Sequence, residues 1–407
     1  MEKNKISVFN LAVIVAALGY FVDIYDLLLF SIIRVESLRS LGLNDQQLAS
    51  DGLFIINTQM IGLLIGGILW GVLGDKKGRL NVLYASIILY SFGNIANGFV
   101  QNVNQYAAIR FVTGVGLAGE LGAGITLVSE LLPKEKRGVG TSLVAGIGLT
   151  GAVVAFFIKE NFNWRTCYFI GGGLGFLLLF LRVRVLESGM FRNIRHSAIS
   201  KGNFFYFFNN RKRLKKYLLC ILIGLPTWFV IGILVSFSKE FGEKMHVTGA
   251  VDPGRAIMFA YAAISIGDVA IGLISQWLKS RKKALYIFYA ITVIAMIWFF
   301  NLEGQSVSSL YAACALLGFG TGFWAIFVTM AAEQFGTNIR ATAATTVPNM
   351  VRGSLTLISL LFASLQPSLG YVQSAMVTGG ILMVITVIAA VMSDETFGKD
   401  LDYVEMA

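Results

Sequence analysis

Blocks of about twenty apolar residues, separated by short polar breaks, follow one another along nearly the whole chain. Such a block matches the hydrocarbon core of a bilayer, which an α-helix crosses in roughly 20 residues. The composition agrees, because 56 % of the 407 residues are hydrophobic and only 14 % are charged, whereas soluble domains contain about 25 % charged residues. The sequence therefore predicts an all-α polytopic membrane protein and excludes a soluble globular one.

The polar breaks predict twelve transmembrane helices. Their approximate ranges are residues 11–33, 52–74, 80–99, 106–131, 139–158, 166–186, 217–238, 256–278, 284–301, 308–332, 343–364 and 371–392. A long polar connection, residues 188–216, separates an N-terminal six-helix bundle, 1–187, from a C-terminal six-helix bundle, 217–407. We expect this connection to be a solvated cytoplasmic linker. Its basic and aromatic residues also suit a short helix on the membrane surface.

Lys and Arg are distributed unequally between the two sides of the predicted bundle. Most of the 33 Lys and Arg residues fall on the side that carries both termini and the linker. This is the positive-inside pattern, and it predicts a bacterial inner-membrane protein with both termini in the cytoplasm. The net charge of +10 is then a topology signal, so we expect a lipid bilayer and no nucleic acid as partner.

The residue types that mark an enzyme or a metal site do not form any recognisable pattern. The three cysteines lie at unrelated spacings in apolar segments, and the two histidines are isolated. No nucleophile–base set, metal-ligand spacing or phosphate-binding loop is found. We therefore expect no enzymatic activity, no metal and no cofactor.

The two halves of the chain align by hand with an offset of 203 residues. Glu130 and Arg137 then fall on Glu333 and Arg340, in each case after a glycine-rich helix. Two homologous six-helix bundles related by a pseudo-two-fold axis are a transporter architecture, with the substrate site between the halves near mid-membrane. The alternative, that the glycines only allow close helix packing, does not account for the repeated charged pair.

The segment Gly71-Val-Leu-Gly-Asp75-Lys-Lys-Gly78-Arg79 is similar to the signature between helices 2 and 3 of the major facilitator superfamily. With the repeat, the chain resembles this superfamily along essentially its full length. The resemblance implies a fold of two pseudo-symmetric six-helix bundles and a network of gating residues on the cytoplasmic side. Its members would be Gly71, Asp75, Gly78, Arg79, Glu130, Arg137 and Glu187, with Glu333, Arg340 and Glu395 in the second half. The second-half copy of the signature lacks the acid, so we expect an asymmetric network.

Acidic residues inside the predicted helices are the strongest functional candidates, because the bilayer penalises buried charge unless it faces a cavity or a partner. We predict that Asp23, Asp26, Glu120 and Asp268 are proton-coupling residues and that Arg110 is their charge partner. In the resembled fold, helices 1, 4, 7 and 10 line the central cavity. Three acids and one arginine there cannot all stay ionised at low cost, so at least one carboxyl group is expected to hold a proton. The alternative is a static ion pair that only fixes helix packing.

The motif Asp23-Ile-Tyr-Asp26 is similar to the Asp-x-aromatic-Asp of proton symporters for phosphate, aromatic acids and other carboxylates. Glu120 and Gly232 stand where the phosphate branch has other residues, which disfavours phosphate. The predicted function is proton-coupled symport of a small organic anion by a monomeric transporter. The alternatives are proton-coupled efflux, phosphate symport, and a non-transporting sensor or scaffold. Aromatic, amide and basic side chains suit the substrate site, although each could serve packing instead: Tyr25, Asn57, Gln59, Trp228, Trp324, Asn349 and Arg352.

Overall fold

The computed structural model describes residues 10–182, 202–400 and 402–405. This part of the chain is almost entirely helical. The helices are α1 (Leu11–Ser40), α2 (Asp45–Lys77), α3 (Arg79–Asn97), α4 (Val103–Leu117), α5 (Glu120–Leu131), α6 (Lys134–Leu149), α7 (Gly151–Asn161), α8 (Trp164–Leu181), α9 (Arg211–Phe229), α10 (Ser238–Lys244), α11 (Pro253–Trp277), α12 (Arg281–Phe300), α13 (Val307–Gly320), α14 (Trp324–Gln334), α15 (Arg340–Gly353), α16 (Leu355–Leu369) and α17 (Tyr371–Met392).

These helices form the twelve predicted spans, which we number in chain order. Spans 1, 2, 3, 6, 8, 9 and 12 are the single helices α1, α2, α3, α8, α11, α12 and α17. Spans 4, 5, 10 and 11 each consist of two consecutive helices, α4–α5, α6–α7, α13–α14 and α15–α16, and span 7 is α9 followed by a π-helical segment, Val230–Val235. Within the described residues, eleven spans are long and apolar enough to cross a membrane. The twelfth is α3, whose buried polar side chains, such as Asn94 and Asn97, lower its hydropathy.

Spans 4 and 10 are interrupted at corresponding points of the predicted repeat. Span 4 changes from α4 to α5 at Ala118 and Gly119, and span 10 changes from α13 to α14 at residues 321–323. A helix break leaves backbone polar groups without their regular partners. In membrane proteins such breaks are tolerated where other protein groups satisfy them.

Two arginines show that the repeat extends to the local structure. Arg137 donates from Nε to the carbonyl oxygen of Ser129 at 2.9 Å. Arg340, at the matching position of the second half, donates from Nε to the carbonyl oxygen of Ala332 at 3.3 Å. We call spans 1–6 the N half and spans 7–12 the C half.

Two glycines of the signature segment have separate roles: Gly71 lets spans 2 and 11 pack closely across the halves, and Gly78 lets the chain reverse between α2 and α3. A Cβ atom at Gly71 would lie 3.0 Å from the Cα of Thr342, so only glycine lets the two helices approach this closely. Gly78 ends α2 with a φ of 105°, a left-handed conformation that favours glycine. The chain reverses there and α3 begins at once.

The predicted linker is described only from Gly202 onwards, so its first part lies outside the described residues. A 3₁₀-helical turn, Phe204–Phe207, follows, and the ring of Phe207 stacks on that of Tyr217 at 4.4 Å between centroids. Helix α9 begins at Arg211, earlier than the sequence indicated, because the side chain of Asn210 accepts the first backbone N–H groups. The division into three segments at 188 and 216 stays a prediction.

Candidate functional site

Asp23 lies near the middle of α1, completely buried, at the contact between the two halves. Arg352 of span 11 is its ionic partner, with 3.7 Å between Nη2 and Oδ2. Neither carboxylate oxygen of Asp23 accepts a hydrogen bond from any described residue. A buried carboxylate normally has such partners, so this ion pair is loose.

Arg352 is held on its other sides by residues of its own half. Its Nη1 donates to Oδ1 of Asn349 at 3.3 Å, and its guanidinium carbon lies 5.7 Å from the centre of a Trp324 ring. Trp324 stands at the start of α14, directly after the break in span 10. Its indole N–H has no acceptor in the described part of the chain. An aromatic ring and an arginine whose Nε has no acceptor in the described residues therefore lie side by side near mid-membrane.

Asp26 and Arg110 form a second polar cluster inside the N half. Arg110 donates from Nη2 to the backbone oxygen of Asp26 at 2.9 Å and from Nε to Oε1 of Gln59 at 3.1 Å. The guanidinium is thus fixed by a carbonyl group and an amide. The Asp26 carboxylate, which accepts no hydrogen bond from the described residues, lies against Gly171 of span 6.

Glu120 begins α5, immediately after the break in span 4. Its partner is Arg182 at the end of span 6, whose Nη1 donates to Oε2 at 3.1 Å and whose Nη2 contacts Oε1. Both side chains are buried beside Gly19 of span 1. Sequence reasoning missed Arg182, which lies near the end of the predicted span 166–186. Its position at the end of an apolar helix carried no signal of a buried partner.

Asp268 of span 8 lies at the break of span 10. Its Oδ1 accepts from the backbone N–H of Ala325 at 2.9 Å, in the first turn of α14. A carboxylate at this place suits the positive end of the helix dipole. Its Oδ2 has no hydrogen-bond donor in the part described. The structure therefore gives Asp268 a helix-capping contact at the residue that follows Trp324.

The remaining predicted substrate residues lie in different surroundings. Tyr25 donates its hydroxyl to the carbonyl oxygen of Cys167 at 2.8 Å within the N half. Asn57 crosses the halves and donates to Oγ of Ser359 at 3.3 Å. Gln59 belongs to the Arg110 cluster described above, and Trp228 is buried in span 7. Of the seven candidates, Arg352 contacts Asp23, and Trp324 and Asn349 contact Arg352.

Asp75 joins the halves on the face that carries the end of the chain, which we call the tail face. The carboxylate accepts from the backbone N–H of Ala341 at 3.1 Å and of Thr342 at 2.8 Å, and from the Thr342 hydroxyl at 2.6 Å. These donors form the first turn of α15, so Asp75 caps a helix of the opposite half. Arg79, one turn later, lies 3.4 Å from the same carboxylate.

Glu130 bridges the halves beside Asp75. It accepts from Arg79 of its own half at 2.9 Å and from Arg340 of the C half at 3.3 Å. Both arginines and Glu130 are buried. Arg79 also donates to the carbonyl oxygen of Thr337 in the C half at 3.4 Å. Four members of the set that resembles the gating residues of the superfamily, Asp75, Arg79, Glu130 and Arg340, are thus in contact across the tail face.

The corresponding contacts of the C half stay within that half. Arg281 pairs with Glu333 at 3.1 Å and donates to Oγ of Ser275 at 2.9 Å. The hydroxyl of Thr396 donates to Glu333 at 2.8 Å. In the C half, the arginine Arg281 therefore contacts the hydroxyl of Ser275. In the N half, the arginine Arg79 contacts the carboxylate of Asp75 instead.

Glu395 lies just beyond span 12 and fastens the chain end to the start of α12. Burial opposes its ionisation, but Ser280 Oγ and the backbone N–H groups of Phe397, Arg281 and Lys282 all donate to the carboxylate. These donors hold the pKa of Glu395 below its ordinary value. Glu187, the remaining predicted gating residue, lies outside the described residues.

Ion pairs also cross the halves on the opposite face. Arg34 of span 1, buried in the protein, pairs with Glu240 of α10 at 2.9 Å, and its guanidinium lies over the ring of Phe237. Lys159 of span 5 pairs with Asp252 before span 8 at 3.2 Å. Because both faces are bridged, the central Asp23–Arg352 pair is enclosed from both sides in this conformation.

Comparisons with known proteins agree with this architecture. The Niacin transporter NiaP of Acinetobacter baylyi is 25% identical over 95% of this chain and 94% of that protein. The Gentisate transporter of Corynebacterium glutamicum is 23% identical over 79% of this chain and 73% of that protein. The solved structure of the proton:xylose symporter XylE has a TM-score of 0.74 at 18% identity and covers 97% of both chains.

The family comparison confirms what the signature segment and the repeat indicated. The relatives are transporters of small organic molecules, and this chain is a membrane transporter and not an enzyme. The family model described as Major Facilitator Superfamily matches residues 11–359, which is most of the chain. With the two six-helix halves and their broken spans, this match shows that the chain belongs to the major facilitator superfamily.

Proposed function

We propose that this transporter is a proton-coupled symporter that takes up a small organic anion by alternating access. One observation carries the proposal. The buried carboxylate of Asp23 belongs to the N half, its cation Arg352 belongs to the C half, and the 3.7 Å between them leaves the carboxylate without a hydrogen bond from the described residues. A pair of this kind can open when either partner changes its charge state.

Protonation of Asp23 would neutralise the carboxylate and leave Arg352 without its counter-charge. A buried arginine without a counter-ion is costly, so an anion from solution would then bind there. A carboxylate group suits this position, because guanidinium and carboxylate form short, charge-assisted hydrogen bonds. Release of the anion and of the proton on the other side would restore the Asp23–Arg352 pair.

The net charge of the site is defined at each stage of this cycle. The empty site holds one negative and one positive side chain, whereas the loaded site holds a neutral Asp23, a positive Arg352 and a substrate monoanion. The site has the same net charge in both states. We therefore expect one proton for each monoanion, and transport that responds to a pH gradient and not to membrane potential.

The surroundings favour a small organic acid as substrate. Trp324 presents an aromatic ring and an indole N–H without an acceptor among the described residues, beside Arg352. An aromatic ring beside a guanidinium suits a small organic molecule that carries a carboxylate group. The names of the relatives, a niacin transporter and a gentisate transporter, support the same class of substrate.

The contacts on the two faces would act as the gates of this cycle. The Asp75 and Glu130 contacts close the tail face, and the Arg34 and Lys159 pairs close the opposite face. We place the tail face in the cytoplasm of a bacterial inner membrane, as the distribution of Lys and Arg predicts.

Uptake into proteoliposomes tests the proposal. An inwardly directed proton gradient should drive accumulation of an acid from a panel that includes nicotinate, gentisate, dicarboxylates and inorganic phosphate, and an internal pH dye should show acidification that depends on the acid. Clamping the membrane potential at zero should leave the rate unchanged. Alkalinisation of the lumen during substrate entry would instead support proton-driven efflux, and no transport of any kind would support a sensor.

Two variants identify the residue that carries the proton. Asp23→Asn imitates the protonated state, so it should retain exchange of substrate at equal pH but lose accumulation driven by the gradient. The matched control is Asp51→Asn, at the outer end of α2, which should behave as wild type. Gradient-driven accumulation in Asp23→Asn would contradict the proposal.

A further inference from the structure

Asn349 lies one helical turn before Arg352 in α15, and its amide makes three hydrogen bonds at once. Nδ2 donates to the carbonyl oxygen of Thr345 in its own helix and to that of Ala118 in the N half, both at 2.8 Å. Oδ1 accepts from Nη1 of Arg352 at 3.3 Å. Asn349 is 2 % exposed, so these bonds are made away from bulk water.

The contact with Ala118 falls at a sensitive point of the opposite half. Ala118 ends α4 at the break of span 4, where the backbone carbonyl groups lose their regular helical partners. Gly67 of span 2 makes room for the asparagine, since a Cβ atom there would lie 2.7 Å from the Cβ of Asn349. A single side chain therefore connects the substrate arginine of the C half to the helix break of the N half.

We infer that Asn349 is a positioning residue that prevents the protonated but empty carrier from changing conformation; this rests on the proposed function. In that state Asp23 is neutral and no substrate is present, so Arg352 donates fully to Asn349. The amide is then fixed, and its bond to Ala118 holds the two halves together.

The two productive states weaken the same contact. When the empty carrier has an ionised Asp23, the carboxylate shares Arg352 with the amide, as in this structure, where Arg352 lies 3.7 Å from Asp23 and 3.3 Å from Asn349. When substrate is bound, the substrate carboxylate competes for Arg352 in the same way, because charge-assisted hydrogen bonds are about twice as strong as neutral ones. In both cases Arg352 holds Asn349 less firmly than in the protonated empty carrier, and the Ala118 contact can break as the halves move. Asn349 thereby makes proton movement depend on substrate.

The test measures proton entry in the absence of any substrate. Proteoliposomes that contain a pH dye receive an inward proton gradient, and the initial rate of acidification is compared between wild type and Asn349→Ala. Because allosteric coupling typically changes an equilibrium by about 5- to 150-fold, we expect the variant to leak protons at least roughly fivefold faster. The comparison is made on variant protein that keeps the helical content of wild type, which excludes misfolding as the cause of a leak.

Asn57→Ala is the matched control. Asn57 also donates across the halves, to Ser359 of span 11, but no contact between it and Arg352 is found in the described residues. It should therefore leave the proton leak unchanged. Asn349→Leu is the second variant, since it retains the side-chain volume, removes all three hydrogen bonds and should leak like Asn349→Ala.

The outcomes separate this inference from the proposed function. A leak in both Asn349 variants and not in Asn57→Ala supports the inference. An unchanged leak in both Asn349 variants, or an equal leak in Asn57→Ala, overturns it while gradient-driven uptake by wild type still stands. Wild type without any proton-coupled uptake overturns the proposed function and this inference together.

Discussion

Replacing Asp75 by asparagine should open the tail face. The carboxylate caps α15 of the other half through the N–H groups of Ala341 and Thr342 and the Thr342 hydroxyl. Asparagine has nearly the same shape but only one accepting oxygen. Its amide group would point donor atoms at backbone donors, and it would carry no charge toward Arg79 or the helix dipole.

The size of the effect follows from these contacts. Loss of a good N-cap costs about 0.5–2 kcal/mol, and a hydrogen bond to a charged group contributes about 1.5–3 kcal/mol. Because asparagine keeps one of the two accepting oxygens, we take about 2 kcal/mol as the net loss to the state in which the tail face is closed. Since 1.4 kcal/mol corresponds to a factor of ten, the population with an open tail face should rise roughly 30-fold.

Labelling of a reporter cysteine measures this population. Thr141 is buried and accepts across the halves from Thr329 at 3.0 Å, so Thr141→Cys should react with a water-soluble maleimide only when the tail face opens. The native residues Cys167, Cys220 and Cys314 are buried, and their background is measured in protein without the reporter. We expect the labelling rate to rise roughly 30-fold when Asp75→Asn is added, in line with the population change.

The control is Asp252→Asn on the opposite face, which removes the pair with Lys159. It should lower the reporter's labelling rate or leave it unchanged, because it favours opening on the other side. Equal labelling rates with and without Asp75→Asn, in protein that unfolds at the same temperature, would refute the proposed capping role of Asp75.

Three further predictions concern the other ion pairs and the chain end. Arg34→Gln removes the buried partner of Glu240, so the opposite face should open more often and the same reporter cysteine should react more slowly; faster labelling would contradict this. Glu120→Gln leaves Arg182 buried without its carboxylate partner, which should cost about 3–5 kcal/mol of stability and lower the melting temperature in detergent. Adding Arg182→Met should restore much of the lost stability. An unchanged melting temperature in Glu120→Gln would contradict the pairing. The pKa of Glu395 lies below its ordinary value, so the contact of the chain end with α12 should persist at neutral pH. It should be lost only as pH falls through that lowered pKa, visible as faster amide exchange after Glu395; Glu395→Gln should remove this pH dependence.

The helical spans could be predicted from the sequence because the bilayer imposes a single length scale on each of them. The start of span 7 differs from the prediction because a side-chain cap decided it: helix α9 begins at Arg211, where Asn210 caps it. Span 3 was predicted correctly, although its helix α3 carries buried polar residues such as Asn94. The repeated pair Glu130 and Arg137, with its copy in the second half, was visible because it recurs at one offset.

The partners of the buried charges could not be predicted in the same way. We predicted Arg110 as a charge partner of the acids, and its hydrogen bonds go to the backbone oxygen of Asp26 and to Gln59. Its role as a charge partner stays a prediction. Arg182 was not among the predicted site residues and is the buried partner of Glu120. The assignment of Asp23, Asp26, Glu120 and Asp268 as proton-coupling residues stays a prediction, although their surroundings now differ clearly from one another.

The amino-acid sequence determined that this chain spans a membrane with twelve helices in two related halves, since length, hydropathy and repeat are properties of the chain itself. Which acid faces which base was decided only by the tertiary structure. Side-chain partners such as Asp23 and Arg352, or Asn349 and Ala118, are far apart in sequence and meet only when the two halves pack. Hydropathy locates each span, and the position of a residue within the span indicates its depth in the bilayer. The direction in which its side chain points depends on how the neighbouring helices are rotated and packed.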